Sequence, residues 1–194
     1  MKQILYYIWL PFFLPHIVAY FFNIQGIVDE TSHWGKVLRI RKEGVKLFCF
    51  LILHIREFRS YLYFRNKYLK LISGWYALGQ LALYFDTPSS KVGQGLVMQH
   101  GHSSRINAES IGRNCQIWHN VTIGKDKPGG ERPIIGNDVK IFTGAIVLGG
   151  ITIGDNVSIG AGAVVVKNVP SNCVVVGNPA RIVKRDGVKV DLKL

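Results

Sequence analysis

Nine aliphatic residues set a fixed period across the second half of the chain. Ile111, Ile117, Ile123, Ile135, Ile141, Val147, Ile153, Ile159 and Val165 follow one another at intervals of six, with one interval of twelve that keeps the phase. Glycine comes next at Gly112, Gly124, Gly136, Gly154 and Gly160. The fifth place of the hexads holds Cys115, Val121, Val139, Ala145, Ile151, Val157, Ala163 and Val169, all small or aliphatic. A period of six fits neither a 3.6-residue helical turn nor a hairpin sheet that alternates over many residues. It fits a solenoid in which each hexad is a short strand plus a corner and three hexads close a triangular coil. The first and fifth residues then point inward, the fifth kept small because three corners converge on a narrow prism, and glycine relieves backbone strain at the corners. On this reading Cys115 fills the core rather than acting as a nucleophile.

The period fails twice. Val92 and Met98 keep the interval of six, but the step from Met98 to Ile111 is thirteen, so one residue too many enters the coil within "MQHGHSSRI". His100 and His102 sit there, in a bulge the core does not dictate, and such loops on a rigid scaffold are where chemistry is placed. The interval of twelve contains "KDKPGGERP", Lys125 to Pro133, a charged loop leaving the coil that would serve as lid or wall for a polar substrate.

The first half reads as helical and apolar. The run from Ile4 to Phe22 carries no formal charge and has the length of a membrane span, yet Pro11 and Pro15 break it and His16 would sit deep in hydrocarbon. The stretch "VKLFCFLILHI" leads into "REFRSYLYFRNKYLK", whose arginines and lysines interleave with aromatics at roughly helical spacing. Such a face suits an anionic membrane surface; packing within a helical domain and a true span are the alternatives. With 194 residues and a net charge of +12, the chain favours anionic partners. Nucleic acid is not expected, because zinc-finger spacing, a basic zipper and an RNA-binding aromatic signature are all missing from the sequence. Cys49, Cys115 and Cys173 are scattered and odd in number, which argues against a disulfide framework and for a reducing cytoplasm. The expected location is cytoplasmic, peripheral on the inner face of the cytoplasmic membrane.

The hexads, together with the closing "VPSNCVVVGNPARIV", resemble the hexapeptide-repeat acyltransferases. That resemblance implies a mainly β fold, a left-handed parallel β-helix over residues 86–185, preceded by an α-helical region over 1–85 and followed by a tail over 186–194. Within that family the chain is most similar to the serine acetyltransferases and the related O-acetyltransferases of bacterial polysaccharide assembly. "VGQGLVMQHGHSS" aligns His100 with the histidine that is the general base of the serine enzymes; "NVTIG" and "GGERP" resemble further motifs of theirs. Gln99 stands where those enzymes have an aspartate that helps to hold serine, and no histidine follows Arg132.

The resemblance implies acetyl-coenzyme A as acyl donor, no metal, and a homotrimer. His100 would take the hydroxyl proton, with Asp86, or in reserve Glu109, orienting its ring. His102, His119 and Arg132 would face the acceptor, and backbone amides at Gly149 and Gly150 would offer an oxyanion site. Gly144, Ala145, Gly162 and Ala163 would line the pantetheine arm, with Lys167, Arg181 and Lys184 for the phosphates. The acceptor expected first is a sugar hydroxyl or lipid-linked glycan of a capsule or exopolysaccharide, with L-serine as the alternative and a non-catalytic scaffold as a third reading. The H-x4-H spacing associated with zinc carbonic anhydrases on this solenoid is absent, since Gly124 stands five places after His119.

Overall fold

The computed structural model describes residues 10–194. They form two compact units divided between Leu81 and Ala82. The start of the apolar run, Ile4 to Trp9, lies outside the described residues.

The first unit is helical: α1 (Leu14–Phe21), α2 (Ile27–Val37), α3 (Gly44–His54), α4 (Arg56–Arg65) and α5 (Lys67–Ser73). Pro15 falls in the first turn of α1, where its missing N–H leaves no bond unmade. Left-handed backbone at Asn23, Gln25 and Gly26 then turns the chain, so that the segments before and after are bent by 105°. Among the described residues no single helix is long and apolar enough to cross a membrane. Asn66 caps α5, its side-chain oxygen accepting from the amides of Tyr68 and Leu69 at 3.1 and 3.0 Å.

Trp34, Phe48, Leu51, Ile52, Phe58 and Tyr61 are fully buried, with Tyr20 stacked on Phe48 at 4.6 Å and Trp34 edge-on to Phe58 at 5.2 Å. The stretch expected to face a membrane, "REFRSYLYFR", is therefore core: Phe58, Arg59, Tyr61, Leu62 and Tyr63 of α4 are all buried. Even the Arg59 guanidinium is satisfied inside, donating to the carbonyls of Leu78, at 2.8 Å, and Ile52. His16 is buried too, its Nε2 2.9 Å from the Tyr63 hydroxyl.

The second unit is the solenoid. Its first sheet stacks β1 (Leu83–Phe85), β3 (Ser104–Ile106), β6 (Thr122–Gly124), β9 (Ile146–Leu148) and β12 (Val164–Val165). The second holds β4 (Ser110–Ile111), β7 (Ile134–Ile135) and β10 (Thr152–Ile153). The third holds β2 (Val97–Met98), β5 (Gln116–Ile117), β8 (Lys140–Ile141), β11 (Ser158–Ile159) and β13 (Cys173–Val176). All these pairs are parallel and in the register the period demands, Ile117 beside Ile141 and Ile135 beside Ile153. Every residue of the nine-member aliphatic column and every fifth-place residue is buried. Each buried Ile or Val contributes roughly 1.5–3 kcal/mol of transfer free energy.

The three edges differ. Between the second and third sheets, Asn114, Asp138, Asn156 and Asn172 adopt left-handed backbone in successive coils and their side chains bond from coil to coil. Close stacking at that edge requires glycine, since a Cβ on Gly112 would lie 2.5 Å from the Gly136 backbone. The solenoid starts earlier than residue 86, because β1 pairs with β3. Residues 186–194, expected as a tail, carry β15 (Val188–Lys193), which pairs antiparallel with β14 (Arg181–Arg185), itself antiparallel to β13. The alternation of Val and Leu with Lys and Asp in "VKVDLK" is a strand's period of two.

Candidate active site

The edge where the third sheet turns into the first collects most of the residues that the sequence singles out. Its corners are residues 118–121, 142–145 and 160–163, four residues each, but the paired register sets Met98 beside Ile117 and Arg105 beside Thr122, so six residues, 99–104, take the place of four. Two extra residues thus enter beside His100, and the step from Ile106 to Ile111 is one short, which leaves the net excess of one. Ser103, Asn120, Gly144 and Gly162 provide the one left-handed position of each corner, at φ of 54, 60, 71 and 68°. His100, at φ 53°, is a second left-handed residue, present only where the extra residues are. A non-glycine residue held there is strained, and such strain gathers where a side chain must be aimed. The ring is exposed, and the His100 carbonyl accepts from the His102 amide at 2.7 Å.

His102 stacks on His119 of the next coil, centroids 4.8 Å apart and planes within 12°. The Nδ1 of His119 is buried without a hydrogen-bond partner. Beside this pair runs a second column: Trp118 stacks on Phe142 at 4.4 Å, and Gln99 donates to the Gln116 side chain at 3.2 Å. Phe142 was not among the residues picked out from sequence. Its signal is that Trp118 and Phe142 occupy the place after the inward aliphatic residue that glycine holds at five other hexads.

Lower on the same edge the backbone is open at Gly162, where an added Cβ would meet nothing within 4 Å. Ala145 and Ala163 do not join it. Both are fully buried corner fillers, and their carbonyls are taken by the amides of Thr122, at 3.1 Å, and Ile146, at 2.9 Å. Of the cations proposed for phosphates, Lys184 is exposed, Lys167 donates to the Leu194 carbonyl at 2.7 Å, and Arg181 donates to Asp191 at 2.7 Å.

Asp86, Glu109 and Arg132 lie on another edge, between the first and second sheets. Asp86 accepts from Arg105 at 2.6 Å. Glu109 is bound by Lys91 and by Arg132, the latter at 2.7 Å, and the Lys91 ammonium, seconded by Arg132, holds its carboxyl below the usual range. Neither carboxylate is the ring partner of His100 within one chain, because each follows a strand of the first sheet while His100 precedes one. The loop Lys125–Pro133 leaves from this same edge, nine residues where the neighbouring corners, 107–109 and 149–151, have three. Gly149 and Gly150 belong here as well, and the Gly149 amide is already given to the Gly124 carbonyl at 3.0 Å, which removes it as an oxyanion donor for His100. Among the described residues no group of His, Cys, Asp and Glu could hold a metal ion.

Residues 132–167 match the family described as bacterial transferase hexapeptide (six repeats). A serine acetyltransferase of Synechococcus elongatus is 47% identical over 107 residues, covering 54% of this chain and 44% of that protein. The chain spans about half the length of the curated relatives it matches. Among solved structures, the serine acetyltransferase of Neisseria gonorrhoeae in complex with serine is 26% identical, with a TM-score of 0.58 over 84% of this chain and 71% of that one. A serine acetyltransferase in complex with CoA is 25% identical, with a TM-score of 0.60 over 86% of this chain and 74% of that one. The chain carries the hexapeptide repeat, is serine acetyltransferase-like in sequence, and coils as a left-handed parallel β-helix.

Proposed function

We propose that this chain is an O-acetyltransferase that moves the acetyl group of acetyl-CoA to an alcohol, with His100 as general base. The observation that carries this is the strained, exposed His100 in the one enlarged corner of an edge whose backbone lies open further down at Gly162. A neutral imidazole takes the hydroxyl proton as the alcohol oxygen attacks the thioester carbonyl. The tetrahedral intermediate collapses, the C–S bond breaks, and the imidazolium returns the proton to the departing thiolate. Gly162 gives the pantetheine arm room to approach, and Lys184, Lys167 and Arg181 supply cations for the phosphates.

The relatives favour L-serine as acceptor over the sugar hydroxyl that the N-terminal half led us to expect, since those named are serine acetyltransferases. The sugar reading keeps one support of its own. Serine carries an ammonium and a carboxylate, whereas this edge offers the neutral Gln99, a stacked Trp118–Phe142 pair and, on the other edge, an Arg132 already bound to Glu109. Aromatic faces and amides suit a neutral polyhydroxylic acceptor better than a zwitterion.

We place the site in a homotrimer. Asp86 and Arg132 sit on a different edge from His100, and a second copy is the route by which they would reach it. The deciding experiment supplies the purified chain with acetyl-CoA and either L-serine or nucleotide sugars, reading thiol release and the mass of the acceptor. O-Acetylserine at ordinary efficiency establishes the serine reading, and an acetylated sugar the other. Wild-type rates retained by His100→Ala would remove His100 as the base; no transfer to any acceptor would return the scaffold.

A further inference from the structure

We infer that the helical unit docks on an anionic lipid surface through a face made by α1 and α5, not through the basic-aromatic segment the sequence advertises. A surface helix normally turns its apolar stripe to the core and its polar side to water. In α5 the inward positions are Leu69 and Ser73, while Tyr68, Leu71 and Ile72, spaced i, i+3 and i+4, point out, and Trp75, in the turn that follows the helix, is exposed as well. Leu71 is 78% exposed and Trp75 77%. Helix α1 repeats the inversion. His16, Ala19 and Tyr20 are buried, whereas Leu14, Val18, Phe21 and the following Phe22 are exposed.

The two stripes belong to neighbouring helices. Helix α1 packs against α5, His16 sits beside Ser73 and Tyr63, and Phe12 meets Tyr76 edge-on at 6.5 Å, next to Trp75. An exposed apolar face of this extent marks an interaction site.

Charge selects the occupant. Between residues 10 and 81, Lys and Arg outnumber Asp and Glu ten to four. Lys67 and Lys70 stand exposed within α5 itself, the Lys67 ammonium 5.3 Å from the Tyr68 ring centre. A second copy seated on this face would set Lys67 and Lys70 against basic residues of the same unit, whereas anionic headgroups would pair with these lysines as the aliphatic side chains enter the acyl boundary. Trp75 and Tyr68 are amphipathic rings that settle at headgroup level. No single described helix is long and apolar enough to span, and α1 and α2 are bent by 105° at the break between them, which suits a face lying on the surface.

The test is sedimentation of the full chain with vesicles of phosphatidylcholine alone or with about a third phosphatidylglycerol. The chain sediments with the anionic vesicles only. Lys67→Ala and Lys70→Ala each weaken partitioning about fivefold, and Leu71→Ser/Ile72→Ser weakens it about tenfold or more. Unchanged far-ultraviolet circular dichroism certifies the fold of each variant. Equal binding to neutral vesicles, no binding to anionic ones, or full binding by Leu71→Ser/Ile72→Ser overturns the proposal. So does a fall in oligomer mass in Leu71→Ser/Ile72→Ser without any vesicle binding by wild type, which would give the face to a second copy.

Discussion

Acid should loosen the helical unit through one residue, His16. Its ring is fully buried, and burial, aided by the nearby Arg59 guanidinium, lowers its pKa to about 4. The Tyr63 hydroxyl gives its proton to the Ala77 carbonyl at 2.7 Å, so its oxygen accepts from His16 Nε2 at 2.9 Å. A second proton would have to go on Nδ1, which is buried without a partner. In the unfolded chain a histidine titrates near 6.5. Between these two values the unfolded chain binds a proton that the folded chain refuses, so stability falls as pH drops through 6.5 and the loss is complete below about 4. At about 1.4 kcal/mol per pH unit, the deficit approaches about 3 kcal/mol at its lower end. Urea titrations followed at 222 nm from pH 7 to pH 4 read it directly. His16→Gln keeps a donor for Tyr63 without the titration, so the difference between wild type and variant isolates this group from the carboxylates. Parallel pH profiles for the two proteins would refute the reasoning.

Thr87 is buried, its hydroxyl oxygen accepting from the Ala108 amide at 2.8 Å; Thr87→Val keeps the shape, strands that amide and should cost about 2 kcal/mol in chemical denaturation of the solenoid. Burial pushes the Cys115 thiol up to about 12, so a disulfide reagent at pH 8 should label half-buried Cys49 in the native chain and reach Cys115 only in denaturant; labelling at equal rates would contradict its place in the core. Should neighbouring chains share each site, mixing His100→Ala with Arg132→Ala chains would restore about a quarter of the sites, because each needs one intact residue from each chain. No recovery beyond the sum of the separate variants would confine the site to one chain.

What was legible in the sequence is what the solenoid repeats. The column from Ile111 to Val165 presents one environment many times over, so its period fixed the coil, the register and the core before any coordinates. The corners are single events. The net excess of one residue between Met98 and Ile111 could be counted, but its split into two extra residues before Arg105 and one fewer between Ile106 and Ile111 could not, and the left-handed His100 depends on how six residues close a gap that four close elsewhere. Glu109 stood in reserve to Asp86 as the carboxylate that would orient the His100 ring. Nine residues along the chain, however, carry it through a whole strand of the first sheet to the next edge, where Lys91 and Arg132 claim it. Ala145 and Ala163 were read as lining the donor's arm, although their own fifth-place position already assigned them to the interior.

The helical half shows the converse failure. Interleaved arginines and aromatics in "REFRSYLYFR" are equally consistent with an outer face and with a core whose one deep cation finds partners far along the chain. Arg59 is buried because the Leu78 carbonyl, nineteen residues on, and the Ile52 carbonyl take its protons, and periodicity carries no trace of either. Once α4 turns inward, the aromatic surface has to come from elsewhere. In α5 the pattern is ambiguous by itself, since Leu69 on one side and Leu71 and Ile72 on the other would each make an acceptable inner stripe. Position is decided by what seats Ser73: its hydroxyl bonds back to the Leu69 carbonyl at 2.7 Å and lies against His16, which turns Ser73 inward and leaves Leu71, Ile72 and Trp75 facing out. A buried histidine with a lowered pKa and an exposed apolar face are thus two results of one packing choice, and acid strong enough to protonate His16 should weaken both the helical unit and the lipid docking proposed for that face.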